Sequence, residues 1–167
     1  MLRMTDMKSR RVIVIAVYCT IILLTLAFIF GNSTFSKEES SEQSGDVVDI
    51  IKPIVDPQDK VPREDFEHAI RKLAHVAEFA LLGFEAALLA FYISGGFRLQ
   101  DSVCLLFFGL LCANTDELIQ SFTERGSMVS DVFIDFIGVV CGVALGYALA
   151  MAGRAILRRR IKKPCNE

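Results

Sequence analysis

Hydrophobic positions in this chain fall into four long blocks separated by polar stretches. Val12 to Phe30 is an uncharged run of 19 residues, close to the roughly 20 that an α-helix needs to cross the hydrocarbon of a bilayer. Further blocks cover about 73–93, 102–120 and 132–152. The pattern predicts an all-α integral membrane bundle of four transmembrane helices, forming a single domain over residues 1–167. The third block is cleanly apolar only from Ser102 to Ala113, so Asn114-Thr115-Asp116-Glu117 must complete its crossing and a re-entrant segment is the rival reading. Arg10 and Arg11 precede the first block as they would a secretory signal. The run is long for such a signal, and Phe30-Gly31-Asn32-Ser33 offers no A-x-A cleavage site. It reads as an uncleaved first helix.

Residues 32–70, between the first two spans, form a loop of two parts. Asn32 to Gly45 is rich in Ser, Glu and Gln, the composition of a disordered segment. Val47, Val48, Ile51, Ile54 and Val55 then recur at near-helical spacing, broken by Pro53, as in a segment lying along a membrane surface. Pro62 followed by Arg63-Glu64-Asp65 marks a helix start with acids in its first turn. Phe66, Ala69, Ile70 and Leu73 share a face, so this second spanning helix is expected to begin above the bilayer.

Charge sets the orientation. The formal net charge of −2 hides a strong asymmetry. Arg3, Lys8, Arg10 and Arg11 precede the first span, and Arg154, Arg158, Arg159, Arg160, Lys162 and Lys163 follow the last. Ten acidic and four basic residues lie between Asn32 and Glu67. Positive charge gathers on cytoplasmic flanks, so the N-terminus and C-terminus both read as cytoplasmic and the 32–70 loop as external. The basic tail follows a span directly and reads as a topology anchor; no nucleic-acid partner is implied. Cys19, Cys104, Cys112 and Cys141 sit in apolar segments and Cys165 in the tail, with no C-x-x-C pair, so neither a disulfide framework nor a zinc site is supported. Hydrophobic residues make up 53% of the chain, too many for an ordinary soluble domain.

Ionisable residues inside a span cost about 2.5–3.5 kcal/mol each at a helix centre, yet this chain has several. Arg71, His75 and Glu78 stand at i, i+4 and i+7 on the second span, with Lys72 beside them. The third span ends in Asp116, Glu117 and Gln120. The fourth opens with Asp131 and Asp135, again at i and i+4, and Arg125 lies in the connection between them. Three helices thus bring charge to the same depth on the outer side. Arg71, Lys72, Arg125 and His75 are expected to neutralise Glu78, Asp116, Glu117, Asp131 and Asp135; acids outnumber bases, so one carboxyl is expected to hold a proton. Gly138, Gly142 and Gly146 repeat every four residues below Asp131 and Asp135, a ladder that lets a neighbouring backbone approach closely.

These residues resemble the motifs of VanZ-like membrane proteins. The family pattern is roughly R-K-x-x-H-x-x-E-[FY], D-E-x-x-Q-x-F, an arginine a few residues on, then D-V-x-x-[ND]-x-x-G. Here it is matched by Arg71 to Phe79, Asp116 to Phe122, Arg125 and Asp131 to Gly138. The resemblance covers about Arg71 to Gly146. It departs at the outer turn, where Thr123-Glu124 stands in place of a frequent Pro-Gly, and Glu85 lies outside the motif. The resemblance implies a multi-pass protein of the cytoplasmic membrane of a bacterium, and association with resistance to teicoplanin-type glycopeptide antibiotics in a Gram-positive cell envelope.

Several functional readings stay open on the residues. One is an envelope protein whose outward polar site lowers glycopeptide susceptibility, in contact with membrane lipids and with a lipid-linked cell-wall precursor or the glycopeptide itself. A second is a membrane enzyme acting on a lipid-linked or peptidoglycan precursor. In that reading His75 serves as general acid or base, and His75, Glu78, Asp116 and Glu117 offer an oxygen-rich divalent site. No nucleophile motif or phosphate loop supports it; catalytic residues and cofactor stay unknown, and no residue is assigned as a metal ligand. A third is structural, an ion-pair network that fixes helix register. Ion transport would require polar residues through the inner leaflet, where only Glu85 and Arg98 offer charge.

Overall fold

The computed structural model describes residues 2–123 and 129–162, and these form five α-helices with no strand among them. They are α1 (Leu2–Ser33), α2 (Lys37–Val55), α3 (Arg63–Ser94), α4 (Leu99–Phe122) and α5 (Val129–Lys162). Four of them, all but α2, are long and apolar enough to cross a membrane. At about 1.5 Å per residue, the 24 residues of α4 exceed the ~30 Å of a hydrocarbon core. The third apolar block is therefore one continuous helix of spanning length, its polar extension included. The 32 residues of α3 reach further still, as its start at Pro62 implied.

Helix α3 is the hub. It touches every other helix and packs most extensively against α5, while α4 also contacts α5 and α1. The reason is written in small residues. A Cβ added at Gly138 would meet the Val76 carbonyl oxygen at 2.5 Å, and one at Gly146 would lie 2.9 Å from the Phe84 oxygen. From the other side, a Cβ at Gly83 of α3 would lie 2.5 Å from the Val139 oxygen of α5. Backbone thus meets backbone over several turns, a route to close packing between helices where lipid replaces water. Phe79, Leu82, Ala87, Cys112, Ala113, Val139, Val143 and Tyr147 fill the centre together with Ile29 of α1. Large apolar side chains such as Leu23, Phe28, Leu73, Phe107, Phe133 and Leu157 point outward, the inside-out distribution that suits a lipid surround.

One end of the bundle is basic. Helix α3 closes on Gly95 in the left-handed conformation (φ 67°). Two arginines from distant parts of the chain cover its last carbonyls: Arg11 Nη2 donates to the Ile93 oxygen at 2.9 Å, and Arg154 Nη1 donates to the Gly95 oxygen. Arg154 also lies over the Phe91 ring, 5.9 Å from its centroid. Cations suit the negative end of a helix dipole. These contacts put the start of α1 and the end of α5 on the same side.

Two expectations for the 32–70 loop are overturned. The Ser/Glu-rich stretch from Asn32 to Gly45 is helical apart from a short break, because Ser36 and Glu39 form a reciprocal capping box: the Ser36 hydroxyl accepts from the Glu39 N–H, and the Ser36 N–H donates to Glu39 Oε2 at 2.8 Å. Its serines face inward. Ser40 and Ser44 are buried beside fully buried Val48, and the Ser41 hydroxyl donates to Glu67 Oε2 of α3 at 3.0 Å. Nor does Pro53 break the segment; it sits in the last turn of α2, which continues to Val55.

Candidate functional site

At the end of the bundle opposite Arg11 and Arg154, three spanning helices bring polar side chains together, and α1 adds a fourth contribution. Each helix reaches the site through its own periodicity. On α3, His75 and Glu78 lie on the same face, one turn apart. On α4, Asp116 is fully buried and Glu117 nearly so. On α5, Asp135 lies one turn below Asp131 and is 2% exposed. The glycine ladder begins three residues later, so the close approach of α3 and α5 is what carries Asp135 toward His75.

At the centre, His75 Nδ1 stands 3.7 Å from Asp116 Oδ2 and 4.0 Å from Asp135 Oδ1. Asp116 is held from two further directions. Gln120 Nε2 donates to its Oδ2 at 2.7 Å, one turn along α4, and the Ser33 hydroxyl of α1 donates to its Oδ1. Lys72 Nζ pairs with Asp131 Oδ1 at 2.9 Å on the partly exposed rim. Glu78 Oε1 accepts from Asn32 Nδ2 at 3.0 Å. Asp116, Glu117, Asp131 and Glu78 all lie close enough to act electrostatically on Asp135.

Of the charges expected to neutralise one another, His75 lies beside Asp116 and Asp135, and Lys72 beside Asp131. Among the described residues Arg71 makes no ion pair: it lies one turn above His75, and the acids of α4 and α5 meet the helix at the level of Lys72 and His75. Asp116 takes hydrogen bonds from Ser33 and Gln120 in addition to its approach to His75. Arg125 and Glu124 lie outside the described residues. Glu85, two turns deeper than Glu78, is buried and accepts from the Thr25 hydroxyl, at 3.2 Å through Oε1 and 3.0 Å through Oε2.

Three partners come from α1, and reading the sequence for charge missed them. Thr25 lies in the first apolar block, and Asn32 and Ser33 looked like the beginning of a loop. They are in fact the last turn of α1, facing α3 and α4. The available signal was the length of the block: one more helical turn beyond Phe30 keeps Ser33 on the face of Ile29, whose carbonyl also accepts from the Ser33 hydroxyl at 3.1 Å.

Chemically, the centre offers an imidazole and two buried carboxylates. One ligand atom from each of His75, Asp116 and Asp135 lies within 4.8 Å of the others. Such a set can pass a proton between a carboxylate and an imidazole, fix a cationic group, or ligate a metal ion.

The fold and this polar end define a polytopic helical membrane protein whose histidine–carboxylate centre rests on two buried aspartates. The family model VanZ/LLP1 matches residues 16–151. The chain belongs to the VanZ/LLP1 family. No curated protein and no solved structure matches it.

Proposed function

We propose that this VanZ-family protein resides in the cytoplasmic membrane of a bacterium, presents its histidine–carboxylate end at the outer face, and lowers susceptibility to teicoplanin-type glycopeptides. The observation that carries the reading is the convergence of His75, Asp116 and Asp135 at one end of the bundle. Two acids are buried there, away from the water that would otherwise solvate them. The basic opposite end, with Arg11, Arg98 and Arg154, supports the orientation, since positive flanks stay in the cytoplasm. Glycopeptides act on cell-wall precursors outside the membrane, and a polar recess facing that way is placed to meet a precursor headgroup or the antibiotic.

The test is glycopeptide susceptibility in a sensitive Gram-positive host expressing the chain, beside Glu78→Gln and Asp116→Asn at matched membrane abundance. The parent is expected to raise the inhibitory teicoplanin concentration and both variants to lose that protection. Equal protection by parent and variants would remove the site from the function; none by the parent would sink the resistance reading. Orientation is tested separately: alkaline phosphatase inserted at Gly45 should be active and a fusion after Arg160 inactive.

A second reading is favoured by the His75–Asp116 approach of 3.7 Å. A carboxylate beside an imidazole nitrogen orients the ring and sets its tautomer, as in general acid–base catalysis. In this reading His75 moves a proton during a reaction on a lipid-linked precursor. It predicts turnover of such a precursor by purified protein, abolished in His75→Gln.

A further inference from the structure

We propose that His75, Asp116 and Asp135 form a binding site for one divalent cation with mixed nitrogen and oxygen ligation, of the kind that Mn²⁺ and Zn²⁺ accept.

Donor atoms each about 2.1 Å from one ion can lie no more than ~4.2 Å apart. His75 Nδ1 already stands 3.7 Å from Asp116 Oδ2 and 4.0 Å from Asp135 Oδ1. The full triplet lies within 4.8 Å, so small side-chain rotations bring all three onto one centre. The three donors come from α3, α5 and α4, and the α3–α5 pair is fixed by backbone contact at Gly138 and Gly142. The α3–α5 side of the cradle is therefore built before any ion arrives.

Asp135 is 2% exposed, and its Oδ2 is buried with no hydrogen-bond partner among the described residues. A buried carboxylate oxygen left without a donor is costly, and native structures satisfy nearly all such atoms. Ser33 and Gln120 supply donors to Asp116, but no described residue donates to that oxygen of Asp135. A cation on the Asp135 carboxylate offsets this cost. Two carboxylates and an imidazole match the donor preference of a borderline divalent ion, not that of a thiolate-seeking one. His75, with its side chain 20% exposed, marks the side from which an ion would enter. Three protein ligands leave positions for water or for an oxyanion.

The inference uses the same cluster as the proposed function, but its test reads the purified protein and does not depend on any resistance phenotype. Metal-depleted full-length protein in detergent is titrated with Mn²⁺ alone, following loss of the free-ion electron paramagnetic resonance signal, and with Zn²⁺ alone by calorimetry. One saturable site per chain is expected. Affinity should fall about tenfold or more in Asp135→Asn, as for loss of a metal-site partner, and stay unchanged in Asp49→Asn, far along α2. If Asp135→Asn fails to elute as a monodisperse species, His75→Gln decides instead: bound Mn²⁺ should show nitrogen hyperfine coupling in the parent and none in the variant. Absence of saturable binding by either ion, binding undiminished in Asp135→Asn, or bound Mn²⁺ without nitrogen coupling would each overturn the site. A site confirmed here with no protection against teicoplanin would leave the cation in place and remove only the proposed function.

Discussion

The Ser33 hydroxyl donates to the buried carboxylate of Asp116, so the last turn of α1 is tied to the polar end of α4 across 83 residues of chain. Both side chains are fully buried. Removing the donor takes one hydrogen bond from a buried carboxylate, a loss of about 1–3 kcal/mol. Ser33→Ala should lower the unfolding temperature in detergent, and Ser33→Thr, which keeps the hydroxyl, should recover most of it. An unchanged temperature in Ser33→Ala would show that α1 is held by its apolar contacts alone.

Gly142 tests the close approach of α3 and α5. A Cβ there would lie 2.8 Å from the Ala80 carbonyl carbon and 2.9 Å from the Phe84 backbone nitrogen, and backbone cannot rotate away as a side chain can. Gly142→Ala should destabilise by about 1–3 kcal/mol through overpacking. Gly153 has nothing within 4 Å of its added Cβ, so Gly153→Ala should be neutral or slightly stabilising, since alanine favours a helix over glycine by roughly 0.5–1 kcal/mol. Denaturant or thermal unfolding of the two variants side by side separates steric conflict from helix propensity.

Lys72 and Asp131 pair at 2.9 Å with side chains about a third exposed. Solvent reaches them, so the pair is expected to contribute about 1 kcal/mol or less. Lys72→Met and Asp131→Asn combined should cost less than the sum of the two single substitutions, which a double-mutant cycle reads directly. A strictly additive cycle would mean that the pair does not couple α3 to α5.

Asp56 gives the connection between α2 and α3 a local pH dependence. Hydrogen bonds from the Val61 and Lys60 backbone hold its carboxyl below the ordinary value of 3.8, the Val61 N–H donating to Oδ2 at 2.8 Å. A carboxyl lowered on folding contributes stability that is full above 3.8 and is lost as pH falls through its lower folded value. Amide exchange at Val61, corrected for the intrinsic rate, should show constant protection above pH 4.5 and progressive loss in more acid solution. Asp56→Asn should remove that pH dependence.

The four spans were legible because a bilayer demands about 20 apolar residues in a row and few other constraints produce that pattern. The shared face of Asp131 and Asp135 could likewise be read from helical period, as could the ladder of Gly138, Gly142 and Gly146. Periodicity gives a direction around a helix but not the height of its neighbour. That is why Arg71, on the stripe of His75 and Glu78, makes no ion pair among the described residues, and why Lys72 finds Asp131. Order in α2 was missed for a different reason. Serine and glutamate counts suggest a solvated chain, whereas Ser36 and Glu39 at capping-box spacing start a helix whose serines turn toward α3. Composition averages over the positions that decide the matter. Ser33 and Asn32 were hidden by the same habit, since polarity at the edge of an apolar block reads as a loop even where the helix continues one more turn.

The backbone contact between α3 and α5 also determines which parts of the molecule can move. Carbonyls lodged against glycines at successive turns leave no slack for sliding or rotation, so these two helices behave as a single rigid post. Any opening or closing around His75 must then come from α1 and α4, which meet that post mainly through side chains. A compound meant to jam the protein would do best to wedge beside Thr25 or Ser33, where the walls give, and not along the glycine seam.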